Sequence, residues 1–243
     1  MADDVKIAEV AALLADPARA RIVMALMDRQ ARTAKELAFL AGIAPSTASA
    51  HLARLGDLGL IAVKPEGRHR YHRLASPLVA GMVEAVSAVA GMAPQPRKVR
   101  PSGAAGLRLA RTCYDHLAGR LAVAIADRLQ AEGHVVLSED GGEVTGSGRA
   151  FFATHGFVLE PAASLRRLFC RACMDWSERR FHIAGHVGAV ICRETLARGW
   201  LKSRRDDRAL EITPEGRGGL AATFGVDVPA LECAEVERNE AAA

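Results

Sequence analysis

TAKELAFLAGIAPSTASAHLARLGDLGLIAVKPEGRHRYHRL, residues 33–74, decides the fold. Thr33 caps a first helix in this reading, and Glu36, three residues on, completes a capping box. Leu37 and Leu40 lie on the inward face of that helix, and Gly42 permits the backbone reversal that ends it. Ile43 fills the angle of the turn. Pro45 suits the first position of a second helix, along which Ala48, Leu52, Leu55 and Leu58 recur at helical spacing. Its other face carries Ser46, Thr47, Ser49, Ala50 and Arg54, with His51 at the boundary. Small and polar side chains let a helix lie deep in a major groove and still reach base edges.

Gly59 ends the second helix. Residues 60–63 predict a strand, 65–67 a turn and 68–74 a returning strand. Lys64, Arg68, His69, Arg70 and Arg73 surround that turn. A basic hairpin beside such a helix is the geometry of a wing that holds phosphates while the helix reads bases. The residues expected to touch duplex DNA are therefore Pro45, Ser46, Thr47, Ser49, Ala50, His51 and Arg54 from the helix. From the hairpin they are Lys64, Arg68, His69 and Arg70.

The stretch resembles the winged helix-turn-helix of the arsenic-repressor (ArsR/SmtB) family. Asp16-Pro17-Ala18-Arg19-Ala20-Arg21-Ile22 is similar to the family's entry into the preceding helix, and STASAHLARLGDLGLI to its recognition helix and exit. The likeness covers roughly residues 5–91. It implies a symmetric homodimer on a pseudo-palindromic operator, acting as a repressor that an effector releases. Two departures from the family pattern stand out. Metalloid-binding members carry paired cysteines on the helix before the recognition helix, where this chain reads KELAFLAG. Zinc-type members carry Asp, His and Glu ligands on the last helix of the domain, where this chain offers only Glu84. That last helix, residues 76–90, is apolar on nearly every side, as expected for one packed against a partner helix.

Composition bounds the rest. A chain of 243 residues can bury a good core and divides naturally into two domains. Its net charge of +4 is modest, so basic character matters only where it is concentrated. No run of 18 apolar residues and no export signal is present, which predicts a soluble, cytoplasmic protein without membrane contact. Five cysteines in that compartment read as reduced thiols, ligands or sensors. The expected fold is mainly α: a winged helix-turn-helix (α+β) domain at 1–91, a Pro-rich basic linker at 92–104, a helix-rich effector domain at 105–229, and a tail at 230–243. Three prolines in the linker exclude a continuous helix there.

The effector domain hides a repeat. HLAGRLAVAIADRLQAEG from His116 aligns with HIAGHVGAVICRETLARG from His182; further on, Thr145, Gly148 and Arg149 align with Thr213, Gly216 and Arg217. The shared pattern is a long helix ended by glycine, a β-hairpin and a Thr-capped short helix, which is itself winged-helix-like. The two copies fall at about 112–157 and 178–226. Ala118-Gly119 and Ala184-Gly185 are expected to let the two long helices approach closely.

The chemistry-bearing residues of this domain are Cys113, His116, Cys170, Cys173 and His182. Cys113 and His116 lie three apart, on one helix and facing one side in this reading. If the copies pack symmetrically, all five converge, and thiolates with imidazole suit zinc or another thiophilic metal. Cys170-Arg171-Ala172-Cys173 is also a redox candidate. A small organic effector between the copies is a third alternative, and all three stay open here. The rival class is an enzyme, such as a methyltransferase that uses its winged domain for dimerisation. Such an enzyme needs a strand followed by a glycine-rich turn. Neither Gly146-Ser147-Gly148 nor Gly185-His186-Val187-Gly188 fits that context, so no catalytic residue is assigned and no enzyme is expected.

Overall fold

The computed structural model describes residues 2–67, 69–92, 104–139, 141–159, 168–204 and 207–233. The chain separates into two compact units, 1–83 and 84–243.

The first unit opens with α1 (Ala2–Leu14) and α2 (Pro17–Ala25). Asp16 caps α2, its Oδ1 accepting from the backbone N–H of Ala18 and Arg19, both at 2.9 Å. A short strand β1 (Arg32–Thr33) leads into α3 (Ala34–Ala41). The expected capping box is present: Thr33 Oγ1 accepts from Glu36 N at 3.3 Å, and Glu36 Oε2 accepts from Thr33 N at 2.7 Å. Gly42 closes α3 at φ +66°, a left-handed turn that a side chain would strain. Next come α4 (Pro45–Asp57), β2 (Ile61–Glu66) and β3 (His69–Leu74), in an antiparallel sheet of order β1-β3-β2. Ile22, Leu26, Leu37, Ala48, Leu52, Leu55 and Ile61 form the interior; Leu58, expected among them, is 40% exposed. Helix α5 (Pro77–Met92) follows, and the second unit begins within it at Glu84.

The second unit contains α6 (Ala104–Leu109) and then two copies of one motif. The first is β4 (Arg111–Cys113), β5 (His116–Ala118), α7 (Arg120–Ala131), β6 (Val135–Ser138), β7 (Gly141–Val144) and α8 (Gly146–Thr154). The second is β8 (Arg171–Met174), β9 (Phe181–Ala184), α9 (Gly185–Ala197), β10 (Leu201–Ser203), β11 (Leu210–Ile212) and α10 (Pro214–Phe224). Each copy therefore opens with a β-hairpin that the sequence reading had merged into the long helix. Cys113, His116 and His182 are strand residues, not helix residues. Tyr114, at φ +57°, supplies the left-handed residue of a two-residue loop joining β4 to β5. The long helices exchange partners, α9 packing on β5 and α7 on β9, so neither copy buries its apolar face alone. Every strand pairing among the described residues is antiparallel, unlike the parallel sheet of a nucleotide-binding enzyme.

The repeated glycines do a different job from the one expected. Gly119 and Gly185 begin α7 and α9 at φ +87° and +79°, where a Cβ would fall 2.7 Å from Arg108 O and 2.8 Å from Leu168 O. They bring each helix start against the preceding backbone rather than one long helix against the other. Gly148 and Gly216 occupy the third position of the Thr-capped helices, each donating its N–H to the cap hydroxyl, at 3.1 Å to Thr145 and 2.9 Å to Thr213. A Cβ there would sit 2.0 Å from His134 O or Trp200 O. Gly148→Ala and Gly216→Ala should each destabilise the second unit by about 2–3 kcal/mol, because the obstacle is backbone. Gly218→Ala, with open space around its Cβ in α10, should be neutral or stabilising by up to about 1 kcal/mol. Urea denaturation compares the three directly.

Candidate functional site

In the first unit, α4 is held from behind by Ala48, Leu52 and Leu55, which are buried. Pro45, Ser46, Thr47, Ser49, Ala50 and Arg54 are all exposed on its opposite side. No side chain caps the start of α4, so its first amides point outward as donors suited to a phosphate. Ser49 Oγ donates to Pro45 O at 3.0 Å, within its own helix.

His51 is placed differently from its neighbours. Its imidazole is largely covered and lies against the start of α2, with Nδ1 3.4 Å from Arg19 Nη1 and Nε2 3.7 Å from Asp16 Oδ1. A backbone bond from Arg19 chiefly holds the Asp16 carboxyl below its usual range, against a smaller desolvation effect. Asp16 thus caps α2 and fixes the rear of α4, and His51 belongs to that brace rather than to the bare face.

The hairpin β2–β3 runs beside α4, with Val63 opposite His72 and Glu66 opposite His69. Lys64, His69 and Arg70 are exposed; Arg68 lies outside the described residues. Lys64 Nζ is 3.9 Å from Glu66 Oε2, but both groups are mostly exposed and such a pair is weak.

The second unit brings Cys113, His116, Cys173 and His182 together. One ligand atom from each lies within 4.8 Å of the others, and all four side chains are buried. The hairpin registers explain the meeting. Cys113 pairs directly with His116 across β4–β5, and Cys173 with His182 across β8–β9, so each copy contributes one thiol and one imidazole. Cys170 does not join them. It sits in the bend just before β8 and is not among the converging ligand atoms. Cys170 lies in the main apolar core, whereas Cys173 packs with Cys113, Ala118 and Ala184. Burial also pushes the Cys170 thiol up to about 11, away from reactive thiolate character.

Three groups around the cluster escaped the sequence reading. Glu84 on α5 accepts from Cys113 Sγ at 3.4 Å and Cys173 Sγ at 3.6 Å, and from Arg171 Nη2 at 2.8 Å. Asp175 and Arg111 form a fully buried ion pair, with Nη2 to Oδ2 at 2.8 Å. Asp175 anchors the β8–β9 turn. Its Oδ1 accepts from Ser177 N at 2.9 Å and Glu178 N at 3.1 Å, while Oδ2 accepts from Gly119 N at 2.7 Å. The Arg111 guanidinium also lies over the Trp176 ring, 4.6 Å from its centroid.

These surroundings set opposite tendencies on the two imidazoles. Burial opposes charging His116, yet hydrogen bonds that its charged ring donates to Asp115 and Cys113, with the charges of Cys113 and Glu84, carry it up to about 9. Burial and the neighbouring His116 charge hold His182 well below its ordinary value, although Asp175 opposes them. The hydrogen bond between the thiols and then burial raise Cys113 well above an ordinary thiol. His116 Nε2 and both ring nitrogens of His182 find no partner with hydrogen-bond geometry among the described residues.

Between the copies lies an apolar void lined by Leu117, Ala122, Ile125, Ile183, Gly188 and Ile191. Its cavity volume of about 10 Å³ holds no more than a water molecule and is far below the roughly 300–1,000 Å³ of most organic-ligand pockets.

Arg111→Met should destabilise the second unit by about 3–5 kcal/mol, because it leaves Asp175 buried without its partner. A loss of under about 1 kcal/mol in urea denaturation would show that the pair does not hold the two copies together.

A model of the bacterial regulatory protein arsR family matches residues 16–63. YdfF of Bacillus subtilis (strain 168), an uncharacterized HTH-type transcriptional regulator, is 40% identical over 211 residues, covering 87% of this chain and 93% of that protein. The match thus extends well beyond the winged unit. Among solved structures, the homodimeric winged helix-turn-helix DNA-binding domain of Mb0332 from Mycobacterium bovis is a possible ArsR-family transcriptional regulator. It is 32% identical with a TM-score of 0.35, covering 37% of this chain and 82% of that one. HlyU from Vibrio cholerae N16961 is 25% identical with a TM-score of 0.33, covering 36% and 94%. Its long match to the Bacillus regulator, joined to the arsR-type motif at residues 16–63, establishes that the chain belongs to the arsR-type helix-turn-helix transcriptional regulators, which bind DNA.

Proposed function

We propose that the protein is a cytoplasmic, homodimeric repressor that seats α4 in the major groove of a pseudo-palindromic operator and is released when its second unit meets an effector. The observation that carries this reading is the two-sidedness of α4: an apolar rear fixed by Ala48, Leu52 and Leu55, and a front of small or hydroxyl side chains with an uncapped N-terminus. Ser46, Thr47, Ser49, Ala50 and Arg54 would meet bases or adjacent phosphates, and Pro45 would set the helix entry. Lys64, Arg68, His69 and Arg70 would hold the backbone. His51 would act from behind, through Asp16 and Arg19.

Dimerisation has its own support. Leu78 on α5 is 83% exposed and Ile7 on α1 is 69% exposed, large apolar side chains left bare on the first unit. A twofold dimer would cover them and set the spacing of two recognition helices to about one DNA turn, roughly 34 Å.

The test uses duplexes selected by the wild-type chain from a random DNA library. Arg70→Ala should weaken binding to every selected duplex and reduce the slope of log affinity against log salt by about 1, the signature of one lost phosphate contact. Ser49→Glu should abolish binding by setting a carboxylate against the groove; retention of wild-type affinity would remove α4 from the interface. Leu78→Asp should convert the dimer to a monomer in analytical ultracentrifugation, and a Leu78→Asp chain that stays dimeric would place the interface elsewhere.

A further inference from the structure

We infer that the second unit holds one zinc-class divalent ion between its two copies, ligated by Cys113, His116, Cys173 and His182. This concerns the second unit alone and stands whether or not α4 reads DNA.

Three independent features lead to it. The first is convergence. Ligand atoms from four buried side chains lie within 4.8 Å of one another. A tetrahedron with zinc bond lengths of about 2.0–2.3 Å has edges of roughly 3.3–3.8 Å. The set is thus within a small side-chain adjustment of a closed shell. Each hairpin supplies one cross-strand Cys–His pair, so the twofold relation of the copies builds the tetrahedron from two equal halves.

The second feature is the unmet polar demand. His116 Nε2 and both nitrogens of His182 are buried without hydrogen-bond partners among the described residues. Interiors rarely leave such atoms unsatisfied, because each loses its hydration with nothing in exchange. An ion at the centre would meet this demand on the Nε2 atoms of both rings. The Nδ1 atoms already face carboxylates, Asp115 Oδ1 at 3.3 Å from His116 and Asp175 Oδ2 at 3.5 Å from His182. A carboxylate behind each imidazole orients the ring and strengthens the nitrogen turned to the metal.

The third feature is chemical type and charge. Two thiolates and two imidazoles suit zinc. Three sulphurs are not available to a trivalent metalloid, since Cys170 lies in another part of the core. Binding exchanges two thiol protons and the His116 imidazolium proton for one divalent ion, M²⁺ + 2 RSH + ImH⁺ → M(SR)₂(Im) + 3 H⁺, and the sulphurs now aimed at Glu84 turn to the metal. The two thiolates cancel the charge of the ion, and Arg171, 2.8 Å from Glu84, continues to balance that carboxylate.

The experiment loads the full-length chain, purified under reducing conditions and stripped with a chelator, with zinc or cobalt(II). Mass spectrometry of the desalted protein should find one zinc per chain. Cobalt should give the intense visible bands of a tetrahedral ion, with sulphur charge-transfer absorption that corresponds to two thiolates. Losing a group behind a ligand costs roughly 10–100-fold in affinity, so Cys113→Ser and Cys173→Ser should each cost about 100-fold or more. Cys170→Ser and Cys192→Ser should retain full stoichiometry and an unchanged cobalt spectrum. Should the cluster variants fail to fold, the wild-type cobalt spectrum still decides by its geometry and thiolate count. A wild-type chain that takes up no ion, an octahedral spectrum lacking sulphur bands, or a Cys170→Ser chain that loses the ion would each overturn the assignment.

Discussion

A helix can read a DNA groove only if one of its faces is committed to the protein and the other is left bare. In α4 the commitment is made by three apolar side chains and by one ionic brace. Ala48, Leu52 and Leu55 sink into the first unit, while His51 leans on Asp16 and Arg19 at the entrance to α2. Asp16 also satisfies two of the free amides of α2, so a single carboxylate sets both the start of one helix and the pose of another. What remains outward is short, hydroxyl-rich and uncapped, beside a cationic hairpin. Each of these features follows from that division of faces.

The second unit obeys a different constraint, the need to satisfy polar groups away from water. Its two hairpins exchange helices, and beside the shared apolar core they enclose a polar cluster: an Arg–Asp pair, a carboxylate from α5, two thiols and two imidazoles, all buried. Such groups stabilise a fold only when every one is paired. Asp175 meets this condition through Arg111, Gly119 N, Ser177 and Glu178, and the Arg111 Nη atoms through Asp175, Leu107 O and Ser177, with only Nε left unpaired. The imidazoles do not, and the proposed ion would complete them. Doubling the motif turns one Cys–His pair on a hairpin into a cluster of four.

The winged unit was legible because its signals are local. A capping box, a helix-ending glycine and a 3.6-residue apolar period each act within a turn or two. The repeat in the second unit was legible for the same reason, from the shared H-[LI]-A-G phrase and the Thr-capped helices. Its opening hairpins were not. Strands of three or four residues are too short to display a period of two, and residues 111–118 (RTCYDHLA) and 171–184 (RACMDWSERRFHIA) mix polar and apolar side chains with no strand alternation to read. That ambiguity placed Cys113 and His116 on one helix and drew Cys170 into the ligand set. Glu84 was beyond local reading altogether, since it meets Cys113 across 29 residues and Cys173 across 89. His51 went astray because helical spacing fixes an angle around the axis but not what waits there.

The most direct test of groove reading by α4 is residue-by-residue backbone amide NMR of the full chain, titrated with a duplex it has selected. Docking requires the largest shift changes at residues 45–54 and along the hairpin at 64–70, with Ala48, Leu52 and Leu55 following only as their helix responds. Unmoved amides throughout α4, with changes confined to the second unit, would contradict it.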